Sequence, residues 1–452
     1  MKNFILNNKL FVICIILVSG WYVDVWENSN SCSRVLPIAT FFERGDFVLN
    51  KYMDKTIDIS MVNGNYYMDK APLPSMLTLP FFGLLKLLGM VHSEQGSYYG
   101  RAIYITGAFI CGILPFLWIM FMLIKTLVSQ QREHLVLMAV VALLSSFVFV
   151  FSGTFFAHVL AAACCLMAYI FFEKEKYFWV GIFCGLSFLT EYTTVWIFIA
   201  WLFIDAVRNK KIVNVLLAFI GFAPSLLFIL CYNYYFTGSP FKMLYLFVAD
   251  NFVVAEKSTY GLSFPKLKAI YGLLFSESRG ILFYAPVLIY AIYNLFTDKL
   301  LLAQIRVKSL LLHPILLPFL LTLLFISSHA AWEGGWSYGP RHLMAVSVLL
   351  IYCVVQSASF GKNKFVFWFT CCYGFVCTML AKLTVLYSVP ELQENILTYL
   401  ISKRNDAYND GNILSLLSGQ SAIHGFYGMI VFVLLIVLTR PKQSTLLSNS
   451  KS

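Results

Sequence analysis

Apolar runs of about 20 residues recur along almost the whole of this 452-residue chain, and that recurrence restricts its fold more than any other feature. Such a run is satisfied in hydrocarbon as a helix, which keeps all its backbone hydrogen bonds within the segment. The runs cover residues 10–23, 102–124, 135–151, 155–172, 177–190, 192–207, 212–236, 281–297, 309–327, 342–358, 364–386 and 422–439. Composition agrees: 60% of the residues are hydrophobic and 12% charged, against about 25% charged in soluble domains. A soluble enzyme, a disulfide scaffold and a free nucleic-acid binder are excluded. The predicted class is an all-α polytopic membrane protein with about twelve transmembrane helices, forming one domain over residues 1–439 before a polar tail at 440–452.

The net charge of +11 belongs to topology rather than to a nucleic-acid partner, because the basic residues cluster in short loops between the runs. Lys2 and Lys9 precede the first run, and Trp21, Tyr22, Val23 and Asp24 stand where a signal peptide would need small residues. The run therefore reads as an uncleaved helix with a cytoplasmic N-terminus. Counting twelve crossings places Lys125/Arg132, Lys174/Lys176, Arg208/Lys210/Lys211, Lys299/Arg306/Lys308, Lys362/Lys364 and Arg440/Lys442 on that same side, so the C-terminus is cytoplasmic too. Residues 73–91 are apolar but hold Pro74, Pro80, Lys86 and two glycines, and counting them as a crossing would turn the basic loops outward. They read as an interfacial or partly re-entrant, Pro-broken helix on the outer face. Runs 177–190 and 192–207 are short for crossings and read as tilted, or as a hairpin about Glu191. The eleven cysteines lie mostly within apolar runs and lack CxxC spacing, so they read as small apolar residues.

Long outer segments remain at 24–101, 237–280 and 387–421, with a shorter one at 328–341. The first gathers Arg34, Glu43, Arg44, Asp46, Asp54, Asp58, Asp69 and Lys70 in a chain otherwise poor in charge. Within Asn65-Tyr66-Tyr67-Met68-Asp69-Lys70-Ala71-Pro72 an acid and a base stand side by side before an apolar helix. That places a carboxylate and an ammonium at the lipid surface. Glu191 lies in an otherwise apolar stretch, where an ionised group needs a partner or a function.

The pattern Gly64-x-Tyr66-Tyr67-x-Asp69-Lys70-x-Pro72, preceded by Ser33-Arg34 and Gly45-Asp46-Phe47, resembles the first outer loop of the GT-C glycosyltransferases. The similarity is to family 39, which includes protein O-mannosyltransferases and the lipid A aminoarabinose transferase. Thr190-Glu191-Tyr192, Tyr232-Asn233-x-x-Phe236-x-Gly238-Ser239-Pro240, Ser278-Arg279-Gly280 with Ala285-Pro286, and Gly334-Gly335-Trp336-Ser337-Tyr338-Gly339-Pro340-Arg341-His342-Leu343 extend it over roughly residues 10–345. The resemblance implies a bacterial inner-membrane enzyme that takes one sugar from a polyprenyl-phosphate donor and passes it, with inversion, to a lipid, glycan or protein acceptor on the extracytoplasmic face. Lys70, Arg279 and Arg341 are the expected phosphate partners, since cations near the headgroup level stabilise a leaving phosphate.

Inversion also requires a base, and in the relatives an Asp-Glu pair stands two and three positions before the Arg. This chain has Ser31 and Cys32 there. Asp24, Glu27, Asp58 and Asp69 are the remaining carboxylate candidates, with Asp58 and Asp69 preferred, although Asp69 could simply pair with Lys70. Arg34, Tyr67, His158, Glu191, Trp336, Tyr338 and His342 are candidates for the sugar or acceptor site. A metal-free mechanism is expected, since no acid or His ligands show a recognisable metal spacing, with a divalent metal left open. The competing readings are a transporter or flippase of lipid-linked sugars, then an O-antigen polymerase or ligase. The first should show repeat symmetry and charges at the bilayer midplane, neither of which is evident here.

Overall fold

The computed structural model describes residues 1–25, 28–91, 93, 99–248, 261–297, 312–403, 411–414 and 422–441. Glu27, the basic cluster Lys299/Arg306/Lys308, the 443–452 tail and parts of the 237–280 and 387–421 segments lie outside the described residues. Most of the chain is helical. Gly100–Ser129, Ile212–Thr237 and Lys364–Leu383 are each long and apolar enough to cross a membrane, and the bent pair Glu133–Leu144 and Phe147–Gly153 would make a fourth if taken as one span. The protein is an integral membrane protein.

Several apolar runs form shorter or interrupted helices. The first run is helical only over Lys9–Ser19, continuing from Lys2–Asn7. Residues 135–151 bend by 69° where Ser145 and Ser146 turn their hydroxyls back onto backbone carbonyls. Residues 281–297 divide into Ile281–Tyr284 and Val287–Thr297 at Ala285-Pro286, as the restricted residue before a proline dictates. Residues 177–207 form Tyr177–Thr190 and Val195–Arg208, separated by Glu191 and a short 3₁₀ turn. The expected break in 73–91 is absent: Leu73–Leu87 runs through Pro80 as one helix. Its N-terminus follows Pro72, and Met76, Phe81, Leu84 and Leu87 are exposed along it.

The all-α expectation needs one correction. The segment 24–101 contains an antiparallel hairpin, Ile59–Val62 with Asn65–Met68, in the register Ile59↔Met68 through Val62↔Asn65. Its turn is Asn63-Gly64, with φ of 50° and 79°, the left-handed pair of a type I′ turn. Ser60 ties the hairpin to the later chain, its backbone bridging to Val248 and its hydroxyl donating to the Leu244 carbonyl at 2.7 Å.

Before the hairpin runs the helix Ser29–Arg44. Asn28 caps it by accepting the Ser31 amide, and Gly45 closes it in the left-handed conformation. This helix packs against Leu73–Leu87 and Gly100–Ala108, and the Ser75 hydroxyl donates to the Arg34 carbonyl at 2.9 Å. Tyr177–Thr190 and Ile212–Thr237 pack through glycines: a Cβ at Gly181 would fall 1.9 Å from the Ala218 oxygen, and one at Gly221 2.0 Å from that of Phe178. Such close approach is how helices associate in lipid, where burying apolar surface gives no advantage. It holds the end of Tyr177–Thr190, and so Glu191, in place.

Candidate active site

The hairpin register sets the centre of the site. Because Ile59 pairs with Met68, the residues just beyond the paired strands are Asp58 and Asp69, and they emerge side by side. Lys70 lies between them, its Nζ 2.8 Å from Asp69 Oδ2 and 3.2 Å from Asp58 Oδ2. The two carboxylates are unlike. Asp69 is buried, whereas the Asp58 side chain keeps 26% of its surface. Burial raises the Asp69 carboxyl above its ordinary 3.8, and with the charge of Asp58 it outweighs the pull of Lys70. Burial pushes Asp58 upward as well, but Lys70, Arg341 and Arg34 together hold it below 3.8. Lys70 keeps its charge because its two carboxylate neighbours outweigh its own burial.

Three further elements deliver side chains to this centre. Arg34, from the Ser29–Arg44 helix, is buried and donates to the backbone and side-chain oxygens of Asn30. Its charge is felt by Asp58, Asp69 and Glu191. Arg341 lies over the Phe156 ring at 5.5 Å and interacts with Asp58 and Glu191. Glu191 accepts from His158, with 3.1 Å between Oε2 and Nδ1, and the rings of His158 and His342 meet edge-on at 5.5 Å. Burial would raise the Glu191 carboxyl, but His158, His342 and Arg34 bring it down to about 2. Buried Arg34 Nε, Asp69 Oδ1, Arg341 Nε and His342 Nδ1 have no hydrogen-bond partner among the described residues. Four such atoms in one cluster mark a place built to receive a polar ligand.

An apolar cavity of about 540 Å³ adjoins the centre. Its lining includes Tyr67 and Met68 just before Asp69, Pro72 and Ser75 just after Lys70, and Tyr232 and Phe236 from Ile212–Thr237. Tyr67 and Phe236 meet edge-to-face at 5.0 Å.

Arg34, Asp58, Asp69, Lys70, His158, Glu191, Arg341 and His342 therefore come together, and Tyr67 stands in the wall of the adjoining cavity. Among the described residues the other sequence candidates have different surroundings, and Glu27 lies outside the described residues. Arg279 is fully buried, with four of its five donors on the carbonyls of Glu333, Ser278, Gly335 and Pro390. It ties its own turn to the segments at Glu333–Gly335 and Pro390 instead of presenting a free fork to phosphate. Tyr338 is buried edge-on against Tyr284 at 4.8 Å, and Trp336 is 60% exposed. Asp24 is buried beside the Gly153 carbonyl and accepts from Asn28 at 3.3 Å. Among residues not singled out from the sequence, Phe156 underlies Arg341, and Asn30 orients Arg34. The Asn63-Gly64 pair was the available signal for the hairpin that joins Asp58 to Asp69.

No known protein family's pattern matches the chain, and no curated protein matches it. Among solved structures it is similar to the crystal structure of ArnT from Cupriavidus metallidurans in the apo state. The two are 13% identical over 97% of this chain and 77% of that one, with a TM-score of 0.48.

Proposed function

We propose that this protein is an inverting, GT-C-type glycosyltransferase of a bacterial inner membrane. It takes a sugar from a polyprenyl-phosphate donor and passes it to a lipid, glycan or protein acceptor on the extracytoplasmic face, with both termini cytoplasmic and twelve crossings. The observation that carries this reading is the junction of Lys70, Arg34 and Arg341 with an apolar cavity at Tyr67, Met68 and Pro72. Few ligands other than a lipid phosphate need both features at one point. The tail occupies apolar surface, and the phosphate meets cations where low dielectric makes the pairing strong.

In the reaction the acceptor hydroxyl loses its proton to a carboxylate, and its oxygen forms a bond to the anomeric carbon. The bond from that carbon to the phosphate oxygen breaks, and the electron pair leaves on the phosphate. Asp69 fits the base: its Oδ1 has no hydrogen-bond partner among the described residues and its carboxyl is raised, while Asp58 is held as a carboxylate beside Lys70. Lys70 and Arg341 neutralise the leaving phosphate. The test offers purified protein a panel of radiolabelled polyprenyl-phosphate sugars with a membrane extract, and measures transfer and free polyprenyl phosphate. Sugar transfer that disappears in Lys70→Ala supports the reading. Unaltered turnover in Lys70→Ala and Arg341→Ala would overturn the phosphate assignment.

A further inference from the structure

His158, Glu191 and His342 come from three points far apart in the chain, each at the end of an apolar helix or just beyond it. Each offers one ligand atom, and the three atoms lie within 4.8 Å of one another. We infer that these residues bind a borderline divalent cation of the Zn²⁺ class. Two imidazoles and one carboxylate form a donor set that such ions use in catalytic sites, whereas Mg²⁺ and Ca²⁺ prefer all-oxygen shells.

Geometry supports this more than a simple His–Glu hydrogen bond does. Tetrahedral ligands at about 2.05 Å from zinc are about 3.3 Å apart. The His158–Glu191 edge is already 3.1 Å. The ligand atom of His342 lies within 4.8 Å of the other two, and the Nδ1 of that ring is buried with no hydrogen-bond partner among the described residues. The ring also lies beside Gly334, at φ 76°, where a Cβ would come 3.1 to 3.2 Å from the ring atoms Cδ2 and Nε2. The glycine leaves space for the imidazole. Glu191 is placed to ligate as a carboxylate: among the described residues its side chain hydrogen-bonds His158 at 3.1 Å and, at 3.5 Å, the Thr193 hydroxyl.

Charge defines what completes the shell. Arg34 and Arg341 both interact with Glu191, so a bare dication would raise the positive potential there. Three protein ligands leave a fourth position open, and an anionic oxygen in it would relieve that repulsion. Phosphate and metal should therefore bind with positive coupling, each tightening the other by the same factor. Where that oxygen belongs to the leaving polyprenyl phosphate, the inference rests on the proposed transfer. The metal site itself does not.

The experiment uses full-length protein in detergent, stripped with a chelator and titrated with Co²⁺, with Zn²⁺ as competitor and metal content measured after dialysis. The wild type should take up one equivalent with the visible absorption of a four-coordinate cobalt site, and Zn²⁺ should bleach it. Glu191→Gln and His342→Ala should each weaken binding at least about tenfold, whereas His134→Ala, outside the cluster, should bind as wild type. His342→Gln, which keeps most of the volume, serves if His342→Ala loses its monodisperse elution. Substoichiometric uptake by the wild type, or equal uptake by the cluster variants, overturns the inference. Because the readout is spectral, a cobalt signal without sugar transfer would refute the proposed reaction and leave the metal site standing. Transfer without the signal would do the reverse.

Discussion

Lys70 touches both carboxylates, so in the proposed reaction its removal should act on the phosphate and on the base together. Lys70→Ala should lower transfer by at least about a hundredfold, as loss of one preorganised electrostatic group does elsewhere, with the protein still eluting as folded material. Asp69→Asn should abolish transfer while donor binding persists; lost donor binding would make Asp69 structural. The pH dependence follows from the directions of the shifts. Asp69 must be ionised to act, its folded pKa lies above the ordinary value, and so activity should fall on acidification at a pH higher than 3.8. The limb belongs to the coupled Asp58–Asp69 pair. Ionising Asp69 opposes folding as pH rises through its raised pKa. Asp58, with a lowered pKa, stabilises the fold at neutral pH, and that contribution is lost as pH falls through its folded pKa. Arg279 predicts a different signature. Arg279→Ala leaves four carbonyls without their donor in a buried place and should destabilise by about 3 kcal/mol. Thermal unfolding in detergent measures it, and an unchanged transition would contradict its role as a clamp.

The hairpin is the element on which the site depends, because its register sets Asp58 opposite Asp69. Gly64→Val places a β-branched residue at φ 79° and costs roughly 1–2 kcal/mol locally. Turnover should fall, and the acid limb should move to lower pH as Asp58 separates from Asp69; an unchanged limb would mean that the turn does not position the pair. Counting outward from Asn63-Gly64 in a two-residue turn brings 62 to 65 and hence 58 to 69, so this juxtaposition was legible in the sequence. It was missed because apolar runs dominate the chain and direct attention to helical periods. The meeting of His158, Glu191 and His342 was not legible. It arises from helix packing through Gly181 and Gly221 and from loop closure near Gly334, and no spacing along the chain encodes either. The burial of Arg279 and Tyr338 was not legible either: a polar or aromatic residue in a motif looks alike in sequence whether it is exposed or packed inside the fold.

At the scale of the whole molecule, the membrane class and most helices followed from hydropathy. The helix interruptions followed less directly, since a bend such as that at Ser145-Ser146 depends on hydroxyl–backbone bonds within one continuous apolar run. The reading also predicts sidedness. In a chain cleared of reactive native cysteines, a membrane-impermeant thiol reagent applied from the extracytoplasmic side should label a cysteine at a surface position of the hairpin, Met61→Cys, and not Lys210→Cys. The opposite pattern would invert the topology. The central claim is that a lipid phosphate leaves from the Lys70 site, and release of free polyprenyl phosphate from a labelled polyprenyl-phosphate sugar tests it most directly. Release coupled to sugar transfer is expected from the wild type, and neither from Lys70→Ala. Movement of intact labelled lipid across proteoliposome bilayers, with no release from any donor, would contradict it and make this protein a flippase.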